Sequence, residues 1–206
     1  MSDHYFSSQP SSSDERIQRG IEIRGLPFYV TLSSGVFSHT GLDLGTRVLC
    51  DKAPTPPSEG VFVDLGCGWG PLTLTLASCS PQARVYGVDV NERAIELTKL
   101  NAQHAGLENV VVGSPQEVLE ELGDTPIDLL WSNPPVRIGK DALHDLLSTW
   151  LSRLSPEGAA YLVVSKNLGA DSLTKWLNSQ GWSTQKIASA KGFRILCCTV
   201  KTDQAS

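Results

Sequence analysis

Metal-ligand and disulfide spacings are missing from this chain. Its five cysteines, Cys50, Cys67, Cys79, Cys197 and Cys198, form no C-x-x-C pair, and no His/Cys cluster has zinc-ligand spacing. An odd, scattered set of thiols fits a reducing cytosol rather than an oxidising compartment. Adjacent Cys197 and Cys198 suit packing on alternate faces of a buried strand. Residues 1–18 are polar and Ser-rich, without the apolar core of a signal peptide, and no apolar run approaches membrane-spanning length. Positive charge is also scarce: 17 Lys and Arg stand against 22 Asp and Glu, a formal net charge of -5. That excludes reliance on a broad basic face for nucleic acid but leaves room for a local basic rim around a cleft. The expectation is a soluble, cytoplasmic protein.

What is present is enough chain, 206 residues, for one large α/β domain with a proper core. Residues 1–15 read as a flexible tail, leaving a single domain over 16–206. Within it, apolar residues alternate from Ile21 through Ile23, Leu26, Phe28 and Val30 to Leu32, punctuated by Gly20, Gly25 and Pro27. This suggests a small β hairpin or lid, at about 16–50 with its following segment. Residues 52–60, with three prolines, form a connector. Beyond it, strands at 61–65, 84–88, 109–112, 127–131, 158–164 and 193–200 alternate with helices at 71–80, 92–104, 116–122, 141–154 and 171–180. A further strand at 182–188 would pair antiparallel with the last. The rhythm predicts a doubly wound, mostly parallel sheet of about seven strands, covered by helices on both faces.

Two stretches carry chemistry. Asp64-Leu65-Gly66-Cys67-Gly68-Trp69-Gly70 follows the first of these strands and opens a helix. Its glycines allow a sharp turn and close approach of a ligand to the main chain. The spacing is not G-x-G-x-x-G, and the acid ahead of it suits a cationic amino-acid end better than a pyrophosphate. Asp89 ends the next strand, where a carboxylate can accept both ribose hydroxyls of a nucleoside. Either acid alone reads equally as a helix cap.

The second stretch is Ser132-Asn133-Pro134-Pro135, at the end of the apolar strand 127–131. Proline fixes φ, lacks an N–H and pushes its predecessor toward extended geometry. The corner is therefore stiff, with the carbonyls of Asn133 and Pro134 and the Asn133 amide oxygen as acceptors. Read alone it is a rigid turn. Placed downstream of the glycine loop, it becomes a clamp for an exocyclic amine.

DLGCGWG, GVDVN and SNPP, in this order and spacing, resemble motifs of class I S-adenosylmethionine-dependent methyltransferases, of the "methyltransferase small" group that includes small-subunit ribosomal RNA guanine-N2 methyltransferases. Gly35-Val36-Phe37-Ser38, Leu42-Asp43-Leu44-Gly45-Thr46 and Lys191-Gly192-Phe193-Arg194 also resemble that group. The longer members carry an additional N-terminal domain. The resemblance implies a single methyltransferase domain with S-adenosylmethionine as cofactor and no metal. Asp64, Gly66, Cys67 and Gly68 would surround its methionine part, and Asp89 would hold the ribose beside Val90 and Asn91. Adenine would lie near Ser114, where many relatives place an Asp. Phe37 either closes over the cofactor or packs in the core.

By the same resemblance, Asn133 and Pro134 would hold the target amine, with Pro135, Val136, Arg137 and Phe193 toward the substrate. Relatives acting on planar bases usually carry an aromatic residue where this chain has Val136. Phe193 either substitutes for it or is a core residue, and Arg137, Lys140 and Lys166 form either a rim for phosphates or an ordinary solvated surface. The implied acceptor is guanine N2 in small-subunit ribosomal RNA, which makes RNA the expected partner. A protein glutamine amide or small molecule remains an alternative acceptor, as does a cofactor-binding subunit without catalysis.

Overall fold

The computed structural model describes residues 13–201. The chain opens with an antiparallel hairpin, β1 (Arg16–Ile23) and β2 (Leu26–Ser33). Its two-residue turn places Arg24 at φ 53° and Gly25 at φ 77°, the left-handed pair that matches the twist of a two-residue hairpin. Ile23, Val30 and Leu32 are buried, each worth about 1.5–3 kcal/mol of transfer free energy. They dock the hairpin onto the helices beneath it.

A helix not expected from the sequence follows: α1 (Leu44–Lys52). Gly45, Thr46, Val48 and Cys50 are weak helix formers. What starts the helix is Asp43, whose carboxylate accepts the N–H groups of Gly45 (2.8 Å) and Thr46 (3.0 Å). The Arg24 guanidinium reaches its other end, donating to the carbonyls of Cys50 (2.6 Å) and Ala53 (3.1 Å).

The α/β alternation then runs through β3 (Glu59–Leu65), α2 (Pro71–Cys79), β4 (Gln82–Val88), α3 (Glu92–His104), β5 (Val110–Gly113) and α4 (Pro115–Leu122). It continues with β6 (Ile127–Ser132), α5 (Lys140–Leu151), β7 (Leu154–Ser165), α6 (Ala170–Ser179), β8 (Trp182–Ala190) and β9 (Phe193–Val200). Most boundaries shift by one or two residues, and the junction of α5 and β7 differs most from expectation. The fifth helix stops at Leu151, and Leu154 already pairs with Ile127 as the start of β7. The closing pair is antiparallel as expected, with Cys198 buried and Cys197 half-buried.

The seven strands lie in the order β5-β4-β3-β6-β7-β9-β8, parallel except at β9. One apolar layer joins the hairpin with α1, α2 and α3, and the other joins α4, α5 and α6. No helix among the described residues is long and apolar enough to cross a membrane. From β3 the chain winds outward through β4 and β5, then returns to lay β6 on the other side of β3. This reversal opens a crevice at the carboxyl ends of β3 and β6, the usual ligand position in an open α/β sheet. Leu65 and Ser132 are register partners there, joined further by the Ser132 hydroxyl donating to the Leu65 carbonyl at 2.6 Å. The glycine loop and the Asn-Pro-Pro corner therefore start side by side.

Candidate active site

Phe37, Asp64, Gly66, Cys67, Gly68 and Asn133, expected as site residues, line one open cleft. Its wall turns on backbone that favours glycine, with φ of 83° at Gly66 and 59° at Gly68. The Gly66 and Cys67 N–H groups both donate to the Val88 carbonyl (2.8 and 2.9 Å), tying the loop to the end of β4.

Asp64 is fully buried at the cleft floor. Its Oδ2 accepts the Thr73 N–H (2.8 Å) and hydroxyl (2.6 Å), whereas Oδ1 has no hydrogen-bond partner. Burial pushes the carboxyl up to about 7, against the opposing bonds from Thr73. Asp89 adjoins the loop, accepting the Gly68 N–H at Oδ2 (2.9 Å) and the Asn91 N–H at Oδ1 (3.0 Å). Burial raises its pKa as well. Cys67 is buried, and burial holds its thiol well above the usual range, so it is no nucleophile.

The segment from the hairpin to α1 forms the opposite lip. Asn91 caps α3 through Oδ1, and its Nδ2 donates to the Gly35 carbonyl at 2.9 Å, fastening this lip to the loop after β4. Phe37 lines the cleft and is 65% exposed, which removes the core-packing alternative. Val90 is half-buried beside Asp89. Ser114 stands away from the cleft lining as the N-cap of α4. Its N–H and hydroxyl both donate to Glu117 at 2.8 Å in a capping box.

At the corner, Asn133 Nδ2 donates to Asp43 Oδ2 (2.9 Å) and Thr46 Oγ1 (3.1 Å). The Pro134 carbonyl, expected free, accepts the Val136 N–H at 2.8 Å across a tight turn at Pro135 (φ −76°, ψ 71°). A carbonyl has two lone pairs, so one remains. Val136 lies in a single 3-10 turn (Val136–Ile138) and lines a second, separate cleft with Lys140 and His144. Arg137 is exposed, and Phe193 is half-buried with its ring against Gly45 at the start of α1. Asp43 and Thr46, which also line the main cleft, received no role from the sequence alone. Their signals were the resemblance of residues 42–46 to the methyltransferase group and an Asp two and three residues ahead of Gly45 and Thr46, the pattern of an N-cap.

Residues 28–197 match the model of the family described as "Methyltransferase small domain". The chain belongs to that family. Membership makes it an S-adenosylmethionine-dependent methyltransferase. The uncharacterised protein YbxB of Bacillus subtilis (strain 168) is 33% identical over 196 residues, 95% of this chain and 98% of its own length. Ribosomal RNA small subunit methyltransferase C of Salmonella choleraesuis (strain SC-B67) is 37% identical over 130 residues, 63% of this chain and 35% of that protein. The solved structure of the T. thermophilus 16S rRNA N2 G1207 methyltransferase, in complex with AdoMet and guanosine, shares the fold. It superposes with a TM-score of 0.76 at 23% identity, over 93% of this chain and 52% of that one. The methyltransferase thus spans about a third to a half of these two ribosomal RNA enzymes.

The cleft suits the family's methyl donor. A buried carboxylate oxygen without a partner, Asp64 Oδ1, matches an ammonium group. At Gly68 an added Cβ would meet only the Phe37 carbonyl, 3.9 Å away, so space is kept beside the main chain.

Proposed function

We propose that this methyltransferase methylates the exocyclic amine of a nucleobase, with guanine N2 of small-subunit ribosomal RNA as the acceptor. The observation that carries the reading is the orientation of Asn133. With Nδ2 committed to Asp43 and Thr46, Oδ1 is the atom left to accept from an incoming amine. Bound S-adenosylmethionine supplies an activated methyl group for in-line displacement. Asp64, Gly66, Cys67, Gly68 and Asp89 with Val90 and Asn91 hold its amino-acid and ribose parts, and Phe37 covers the mouth. Asn133 Oδ1 and the remaining lone pair of the Pro134 carbonyl fix the amine hydrogens and stabilise positive charge developing on nitrogen. Holding the amine in line contributes most of the acceleration, about 7–11 kcal/mol in well-oriented systems.

The names of the relatives support an RNA acceptor. So do exposed Arg137, Lys140, Lys166 and Lys191 around the corner, a modest rim for phosphates. Lys166 and the Lys191 turn are held together by the Lys166 N–H donating to the Gly192 carbonyl at 2.9 Å. One observation favours a second acceptor, a protein glutamine amide or small molecule: half-buried Val136 offers no ring for a base to stack on. Incubation with labelled S-adenosylmethionine and small ribosomal subunits, naked ribosomal RNA or ribosomal protein separates the two. Label is expected in RNA. Label confined to protein would overturn the reading in favour of the second.

A further inference from the structure

We infer that Asp43 is a positioning residue for the methyl-transfer step, fixing which face of the Asn133 amide meets the substrate. This rests on the amine-acceptor reading of Asn133. A side-chain amide has an oxygen end and a nitrogen end of nearly the same shape, and only its hydrogen-bond partners decide between them. Presented wrongly, Asn133 would aim two N–H donors at an amine that is itself a donor. Thr46 cannot settle the matter, because a hydroxyl both donates and accepts. Asp43 can, because a carboxylate only accepts.

The geometry makes that choice rigid. Asp43 Oδ1 accepts the Gly45 N–H at 2.8 Å, and Oδ2 accepts the Thr46 N–H at 3.0 Å. The carboxylate is thereby locked to the first turn of α1. Oδ2 also takes the Asn133 Nδ2 at 2.9 Å, and Thr46 Oγ1 takes it at 3.1 Å. The second amide hydrogen is therefore spent as well, and Oδ1 is turned away from both. The contact spans 90 positions in sequence, which couples the lip formed ahead of α1 to the end of β6. The negative charge also polarises the amide toward a stronger acceptor oxygen, in the direction that favours a developing ammonium.

The test uses Asp43→Ser, which keeps a good N-cap for α1 but replaces the acceptor-only carboxylate with a shorter hydroxyl. Thr46, which both donates and accepts, is then the remaining partner of the Asn133 amide, and the amide is free to turn over. On small ribosomal subunits with labelled S-adenosylmethionine, kcat is expected to fall about 10-fold, because the amide is misdirected part of the time and no longer anchored. The double variant Asp43→Ser with Asn133→Asp restores an acceptor facing the amine, because residue 133 then presents an oxygen whichever way it turns. Much of the lost kcat returns. A loss that persists undiminished in the double variant would make Asp43 a helix cap and nothing more, and an unchanged kcat in Asp43→Ser would overturn the proposal outright.

A second readout needs no acceptor. The Asn133 side-chain NH2 resonances, identified by their disappearance in Asn133→Ala, should shift and exchange faster with water in Asp43→Ser. Unmoved resonances would refute the positioning role whichever substrate the enzyme uses. Moved resonances in an enzyme that leaves RNA unlabelled would instead put the fault with the RNA reading.

Discussion

Replacing Asn101 with alanine should loosen the hairpin from the body of the protein. Asn101 is 1% exposed on α3. Its Oδ1 accepts the Thr31 N–H at 2.7 Å, and its Nδ2 donates to the Thr31 carbonyl at 3.0 Å and the Trp69 carbonyl at 2.8 Å. Truncation strands these three main-chain groups in a dry interface. Each orphaned polar group costs about 1–3 kcal/mol, and water entering the space offsets part of that, giving a loss of about 3–5 kcal/mol. Native domains are stable by only about 5–15 kcal/mol, so the midpoint of urea unfolding should move far to the left. At about 2–4 °C per kcal/mol, the melting temperature should drop by about 10 °C. Hydrogen exchange at the Thr31 amide should rise well before the sheet exchanges. Thr31→Val is the contrast. The Thr31 hydroxyl is buried without a partner, so its removal leaves the main-chain bonds intact and should be neutral or mildly stabilising. An Asn101→Ala protein less than about 1 kcal/mol weaker, with Thr31 still protected, would refute the reasoning.

Two further predictions concern the cofactor side of the cleft. Burial raises the Asp64 carboxyl from its ordinary 3.8 to about 7, so between those values ionisation costs the folded state stability as pH rises, and the loss levels off above the upper value. An ammonium on Oδ1 favours the ionised form, so S-adenosylmethionine affinity should climb over the same window with proton release on binding. Titration calorimetry in buffers of different ionisation heat measures both; Asp64→Asn should bind more weakly and with a flat profile, and a flat wild-type profile would count against the contact. Gly68→Ala places a methyl group on left-handed backbone (φ 59°) where only the Phe37 carbonyl is near. It should cost about 1–2 kcal/mol of stability but raise the cofactor Kd about tenfold or more; unchanged affinity would mean that the cleft beside Gly68 is not the cofactor's.

Most of the sheet was legible because its strands are short apolar runs between glycine-rich turns, and α3 was legible to its ends from Glu92 to His104. Helix α1 was not, since Gly45, Thr46, Val48 and Cys50 carry weak propensity and the helix is held by its Asp43 cap and by packing. The break after Leu151 was hidden because Trp150, Leu151 and Leu154 are all buried, in a spacing that reads as one helical face although Leu154 belongs to a strand. At the site, the glycine loop, Asp89 and the Asn-Pro-Pro corner were visible because their spacing is local. The Asp43–Asn133 bond and the Thr31–Asn101 clamp join residues 90 and 70 positions apart, and no local pattern encodes such contacts. The use of the Pro134 carbonyl by Val136 depends on the turn geometry at Pro135, which residue types alone leave open.

The most direct test of the central claim is the chemical identity of the methylated product. Small ribosomal subunits treated with the wild-type enzyme and S-adenosylmethionine, digested to nucleosides and resolved by mass spectrometry, should yield N2-methylguanosine. Asn133→Ala should bind the cofactor as well as wild type yet form the product about 10²–10³-fold more slowly. Methyl on a ribose hydroxyl or a base carbon, or undiminished turnover in Asn133→Ala, would contradict a corner built to hold an exocyclic amine.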